Sequence, residues 1–271
     1  MMNQMDNVVF PAESKEANTA IIQMQPGTPP TPPDYDKLWM RMPEGISDTP
    51  PGLEYLGVID HIQIKQIKEL AEIVLGWETN NKYVILNGNG QQVYYAFEET
   101  GCCMRQCCIA QRGFLIHVVD NFNKEVMRIT RPFLYCAGCC WCAVPGSCCS
   151  YQLQVEAPPG NVIGTVQQRC SCCSNAFIVL DQEKTPILDL EGPCCCLMCC
   201  RCCGCLDKVF PVKTISGEEI GEVRKTWAGI LQETFTDADN FGVSFPMNMA
   251  IQTKATLIGA TFLIDFMNFE S

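Results

Sequence analysis

Histidine and basic residues are scarce in this sequence: 2 histidines among 271 residues, and 19 lysines and arginines against 30 aspartates and glutamates, for a formal net charge of −11. No cluster of Lys and Arg is available to displace phosphate counterions, which argues against nucleic acid as the main partner. The same charge repels an anionic lipid surface, so membrane contact needs calcium, acyl chains or an apolar insert. The N-terminal MMNQMDNVVF has no basic n-region and no apolar h-region of sufficient length, and the reading is a cytosolic, reducing location. A comfortable membrane span is missing too. The apolar C-terminal segment, Ala255 to Phe269, has 15 residues, about 22 Å as a helix against roughly 30 Å of bilayer hydrocarbon. It carries Asp265 inside the run and Lys254 at its entry. His61 and His117 fall in expected strands with no obvious Ser or Asp partner and read as structural. No set of nucleophile, base and oxyanion donors emerges, so the chain is read as carrying out no bond chemistry.

What is abundant is sulfur. All 21 cysteines lie between Cys102 and Cys205, and Cys194 to Cys205, CCCLMCCRCCGC, holds eight in twelve residues. Three uses compete. A disulfide scaffold fits poorly, because the number is odd and no export leader precedes it. The overlapping C-x-x-C steps through Cys136, Cys139 and Cys142, Cys170 and Cys173, and Cys196, Cys199, Cys202 and Cys205 have zinc-ligand spacing, but so many matches make each one weakly informative. Zinc or an iron–sulfur cluster held by Cys194, Cys195, Cys196, Cys199, Cys200, Cys202, Cys203 or Cys205 stays open. Burial as small apolar side chains fails for runs of three, since strand neighbours face opposite ways. The better answer is lipid: CAGCCWCAVPGSCC sets adjacent cysteines among apolar and aromatic residues, a setting suited to multiple S-palmitoylation.

Residues 1–53 are rich in proline and poor in apolar periodicity and read as a disordered arm. Within it, Pro32, Pro33 and Tyr35 fit the PPxY ligand of WW domains, and Pro29 with Pro32 makes a PxxP step of the SH3-binding kind. Residues 54–271 read as the folded domain. IQIKQIKELAEIVLGW puts Ile64, Ile67, Ala71, Val74 and Leu75 at helical spacing and predicts a short amphipathic helix. Hairpins then follow, with turns at Asn87 to Gly90, Asp120 to Lys124, Pro158 to Gly160, Asp181 to Lys184 and Ser216-Gly217. This succession predicts a mainly β domain, a large antiparallel sheet closed into a barrel. The terminal segment 255–269 is predicted as a helix inside that barrel, apolar on several faces, with Asp265 needing a partner from the interior or rim.

Asp237 to Asn248, DADNFGVSFPMN, has the outline of a twelve-residue calcium loop. Asp237 and Asp239 are the two carboxylates, Phe241, Val243 and Phe245 offer backbone carbonyls, and Asn248 stands at position 12. Two carboxylates imply weak binding, in the class of about 10⁻⁴ to 10⁻³ M. An Asx-type loop with no metal is the plainer alternative.

TWAGILQETFTDADNFGVSFP and LIGATFLIDFMNFES, with PPGLEYL, QLQVEAPPG and DLEGP upstream, resemble the phospholipid scramblase family over essentially the whole chain. The resemblance implies a calcium-responsive, ATP-independent mover of phospholipids between leaflets, on the cytoplasmic face of membranes, the plasma membrane in particular. It implies a tubby-like barrel of about twelve strands around a hydrophobic C-terminal helix. It also implies calcium at the Asp237–Asn248 loop, a palmitoylated cluster at Cys136, Cys139, Cys140, Cys142, Cys148 and Cys149, and a basic import segment at Arg224 and Lys225, two charges that equally suit a solvated strand face. A palmitoylated, metal-responsive adaptor that recruits WW or SH3 partners is the second reading, and homo-oligomerisation is an open expectation for a chain with so short a terminal helix.

Overall fold

The computed structural model describes residues 39–45, 49–67, 81–99, 111–136, 142–145, 147–194, 207–226 and 240–269. Twelve strands run in chain order: β1 (His61–Ile67), β2 (Lys82–Asn87), β3 (Gln92–Glu99), β4 (Phe114–Val119), β5 (Glu125–Arg131) and β6 (Gln152–Glu156), then β7 (Val162–Arg169), β8 (Ser174–Asp181), β9 (Pro186–Cys194), β10 (Lys208–Thr214), β11 (Glu219–Lys225) and β12 (Asn240–Ser244). Each pairs antiparallel with its neighbours in sequence, and β1 pairs with β12 to close the barrel, with Ile62 opposite Val243 and Ile64 opposite Phe241. Among the described residues one α-helix, α1 (Ile251–Asn268), runs through the interior.

The tight turns form where the sequence places them, and the chemistry is local. At Asn87 the side-chain oxygen accepts the amides of Asn89 and Gln91, at 3.0 and 2.9 Å, and Gly90 takes φ +77°. Asp120 and Asp181 repeat the device, each side chain accepting two backbone amides of its own turn.

The amphipathic helix expected through Ile64 and Ile67 is corrected over His61–Ile67, which is strand β1. Ile62 and Ile64 are buried while His61, Gln63 and Lys65 are half-exposed, so an inward isoleucine every second residue, with a paired strand on either side, outweighs the 3-4 spacing that starts at Ile64. The remainder of that prediction, 68–80, lies outside the described residues. The chain also enters the packing ahead of Leu53. Trp39 bridges Gln92, the Met40 amide donates to the Gln92 carbonyl at 2.8 Å, and Trp39 packs against Val84, Leu86, Tyr95 and Val119 on the outer wall of β2 to β4. Leu53, Tyr55 and Leu56, the last two in a 3₁₀ turn at Glu54–Val58, are fully buried.

Inside the barrel α1 is buried from Lys254 to Phe266 on every face, as an all-round apolar helix requires. Small residues set its distance from the wall. A Cβ on Gly259 would stand 2.5 Å from Val155 Cγ2, and one on Gly164 of β7 would stand 2.2 Å from Thr256 Oγ1. Gly259→Val gains a little helix propensity, a few tenths of a kcal/mol, and loses more to overpacking, so we expect a net destabilisation of about 2 kcal/mol. A chemical-denaturation midpoint equal to wild type would show that the wall gives way instead.

The polar groups of α1 are met by the barrel. The Tyr83 hydroxyl donates to Asp265 Oδ2 at 3.4 Å, a partner from β2 for the buried carboxylate. The Lys254 ammonium donates to the carbonyls of Leu56, Ile59 and Met247 at 2.9, 2.8 and 2.9 Å. Burial pulls its pKa below the ordinary lysine value, with Asp60 opposing.

Candidate functional site

The barrel is an up-and-down meander, so its connections alternate between two ends. At one end lie the short turns 88–91, 120–124, 157–161, 182–185 and 215–218. At the other lie 68–81, 100–113, 132–151, 195–207 and 226–239, together with the short 170–173. The cysteines and the two candidate calcium carboxylates, Asp237 and Asp239, belong to connections or strand ends at this second end.

Its described rim is rich in thiols. Cys136, Cys142 and Cys148 are exposed, Cys149 is half-buried, and Cys170, Cys172, Cys173 and Cys194 are exposed. Cys148 and Cys149 stand 3.9 Å apart, sulfur to sulfur, and this hydrogen bond, with some desolvation, pushes the Cys149 thiol up, toward its neutral form. Beside them Phe133, Tyr135 and Val144 are exposed apolar side chains. A shallow cleft of about 530 Å³ is lined by Arg169, Cys172, Cys173, Glu191 and Cys194. Below the rim, Arg112 pairs with the buried Glu98, its Nε 3.3 Å from Oε1, and Arg131 donates to the Arg112 carbonyl. The Arg131 guanidinium lies over the rings of Phe114 and Tyr151, at 4.6 and 4.7 Å. This buried cationic plug, set against Phe266 of α1, has no local sequence signature, because Glu98, Arg112, Phe114, Arg131 and Tyr151 come from five separate strands and connections.

The sequence-predicted calcium ligands divide. Phe241 and Val243 lie in β12 with buried side chains, and their carbonyls face the flanking strands β1 and β11. Phe245 is buried and Asn248 is exposed. A five-residue extended strand spans about 13 Å, so Asn248, beyond its far end, is held away from the connection that leads into Asn240. Asp237 and Asp239, in that connection, lie outside the described residues, as do Pro32, Pro33 and Tyr35, Cys139 and Cys140, and Cys195, Cys196, Cys199, Cys200, Cys202, Cys203 and Cys205. Among the described residues no three His, Cys, Asp or Glu side chains converge to hold a metal ion.

The remaining candidates are surface ion pairs. His117 sits between Glu125 and Glu99, at 2.7 and 2.8 Å, and stacks on Phe97. Arg224 binds Glu222 and Asp207, while the Lys225 ammonium lies 3.8 Å from the centre of the Phe269 ring. His61 lines a trough over β12 with Gln63, Lys65 and Arg224.

Comparison with known proteins gives this architecture its relatives. The profile described as Scramblase matches residues 40–271, from the segment that packs on β3 through the end of α1. The chain belongs to the scramblase family. Among curated proteins it is similar to human phospholipid scramblase 1, at 45% identity over 86% of this chain and 70% of the relative. It is similar to bovine phospholipid scramblase 2, at 41% over 90% and 78%, and to human phospholipid scramblase family member 5, at 40% over 86% and 84%. No solved structure matches it. The closed twelve-stranded barrel around a C-terminal helix is thus the scaffold on which this scramblase-family chain carries its cysteine-rich rim. None of the described helices is long and apolar enough to cross a membrane.

Proposed function

We propose that the chain is a calcium-responsive phospholipid scramblase that moves lipids between leaflets without ATP and without making or breaking a covalent bond. The observation that carries this reading is the family match over the whole barrel and helix, residues 40–271, to relatives whose names state phospholipid scrambling. Because α1 is committed to the barrel interior, lipid passage in this reading occurs in bilayer perturbed by the docked barrel and not along a spanning helix. S-acylation at Cys136, Cys139, Cys140, Cys142, Cys148 and Cys149 supplies the attachment that the net charge of −11 opposes. Calcium acts at Asp237 and Asp239. With the β12 carbonyls facing neighbouring strands, the remaining oxygens come from water and lipid phosphate, which gives weak affinity and places the ion between protein and headgroup.

Purified full-length protein in liposomes, with fluorescent lipid in both leaflets and a membrane-impermeant quencher outside, tests this directly. Millimolar calcium without ATP is expected to expose the inner-leaflet pool to quenching. Asp237→Ala is expected to lose the calcium response while melting like wild type. Inner-leaflet protection at every calcium concentration would overturn the reading.

A further inference from the structure

Strand parity gathers the sulfur. The connections after β3, β5, β7 and β9 open at the same barrel end, and together with Cys194, the last residue of β9, they contain every cysteine of the sequence. Two described groups of thiols meet there. Cys148 and Cys149 lie just ahead of β6, whereas Cys170, Cys172 and Cys173 form the turn between β7 and β8, with Cys194 opposite Ser174 in the β8–β9 register. Ser150 stitches the groups together: its hydroxyl donates to the Gln168 carbonyl at 2.6 Å, and the Gln168 amide donates to the Tyr151 carbonyl at 2.8 Å.

The second group sits on a braced support. Arg169 binds Asp189 through two nitrogens, at 2.7 and 3.0 Å, and reaches Glu191 at 3.2 Å. The Ser171 and Ser174 hydroxyls are 2.6 Å apart, and Ser174 donates to Glu191 at 2.6 Å. Cys172, Cys173 and Cys194 open from this support into the 530 Å³ cleft. The chemistry of such a surface is nucleophilic sulfur displayed to solvent on a rigid turn.

We propose that Cys170, Cys172, Cys173 and Cys194 are a second S-acylation site, and that with the Cys136–Cys149 segment they make one acyl-bearing rim that docks the barrel end-on against a lipid bilayer. The inference rests on the membrane reading given under Proposed function and adds to it a second site and an orientation. In the modification, a cysteine thiolate attacks the carbonyl carbon of a long-chain acyl-coenzyme A thioester. The new S–C bond forms as the bond to the coenzyme A sulfur breaks, and coenzyme A leaves as the thiol, carrying the proton, with no change of oxidation state. One acyl chain gives reversible membrane contact and two anchor stably. Chains confined to the long 132–151 connection tether the barrel, whereas chains on a four-residue turn braced by ion pairs also fix which end faces the lipid.

Trypsin separates the sites, because cleavage after Arg128, Arg169, Lys184 and Arg201 places Cys136 to Cys149, Cys170 to Cys173, and Cys194 on three different peptides. Full-length protein recovered from eukaryotic membranes is expected to show hydroxylamine-sensitive acyl groups on peptide 170–184. Replacing the six cysteines from Cys136 to Cys149 with Ser is expected to leave a membrane-bound fraction that falls about tenfold when Cys170, Cys172, Cys173 and Cys194 are also changed to Ser. Circular dichroism of each variant checks that the barrel melts unchanged. Unmodified thiols on peptide 170–184 of membrane-bound wild type would overturn the proposal. So would stoichiometric zinc released from that site by a thiol reagent, which would make it a metal site. Because site mapping needs no transport assay, its failure is distinct from a failure of scrambling in liposomes.

Discussion

A chain ending at Ala250, which lacks α1, is expected not to fold, with loss of the cooperative thermal transition and of soluble expression. The helix buries Leu257, Ile258, Phe262, Leu263, Ile264 and Phe266 at 1% exposure or less. Truncating a single buried Leu or Phe to Ala costs about 3–5 kcal/mol, and a whole domain is held by about 5–15 kcal/mol. Removing six such side chains together exceeds that margin, and the barrel wall cannot collapse to recover it, because twelve paired strands fix its diameter. The facing residues Leu153, Val155, Ile129 and Phe114 would line a flooded lumen. The alternative is a self-sufficient barrel with a detachable membrane segment. That picture predicts a soluble truncated protein with a sharp melt, and circular dichroism of the Ala250-terminated chain separates the two.

Much of this fold is legible in the sequence where the causes are local. The turns at Asn87, Asp120 and Asp181 are written in residues that accept their own backbone amides, and alternation then marks the strands on either side. The number of strands comes from family resemblance, because the sequence interrupts the alternation with long connections. β1 misleads for a definable reason: Ile62 and Ile64 have period 2, Ile64 and Ile67 have period 3, and a seven-residue window satisfies both until pairing with β2 and β12 decides. In the same way Phe241-Gly242-Val243-Ser244 reads as positions of an ion-binding loop and also as an alternating strand, and burial of Phe241 and Val243 favours the strand.

The candidate site is less legible still. The individual cysteines are conspicuous, but their convergence on one rim requires knowing that an even number of strand reversals separates the connections that carry them. Glu98, Arg112 and Arg131 gave no signal, since a buried charged cluster is defined by tertiary proximity, and each residue alone reads as solvated surface.

In the sequence Lys254 reads as a polar obstacle to a membrane span, and the barrel makes it a structural anchor. Its ammonium is the shared donor for three backbone carbonyls, on the 3₁₀ turn at Leu56, on the approach to β1 at Ile59, and on the β12–α1 connection at Met247. It therefore ties the first and last parts of the barrel domain to the start of α1. Lys254→Met keeps the length of the side chain and removes all three donors. Each buried acceptor left without a donor costs about 1–3 kcal/mol. Against that, the substitution relieves the desolvation of a buried charge, the same effect that pulls the lysine pKa down. The carbonyl losses outnumber the relief, and we expect a net loss of about 3 kcal/mol, or roughly 6–12 °C in Tm for a domain of this size. Lys254→Arg is expected to restore little, because a planar fork cannot meet three carbonyls that converge on one point. The pH dependence has a definite sign. With the folded pKa below the ordinary value, the unfolded chain binds more protons between the two, so wild-type stability rises with pH across that interval and is lost as pH falls through the folded pKa. The Met variant should lack that slope. A Lys254→Met protein that melts within a degree of wild type would mean that the three carbonyls find other donors.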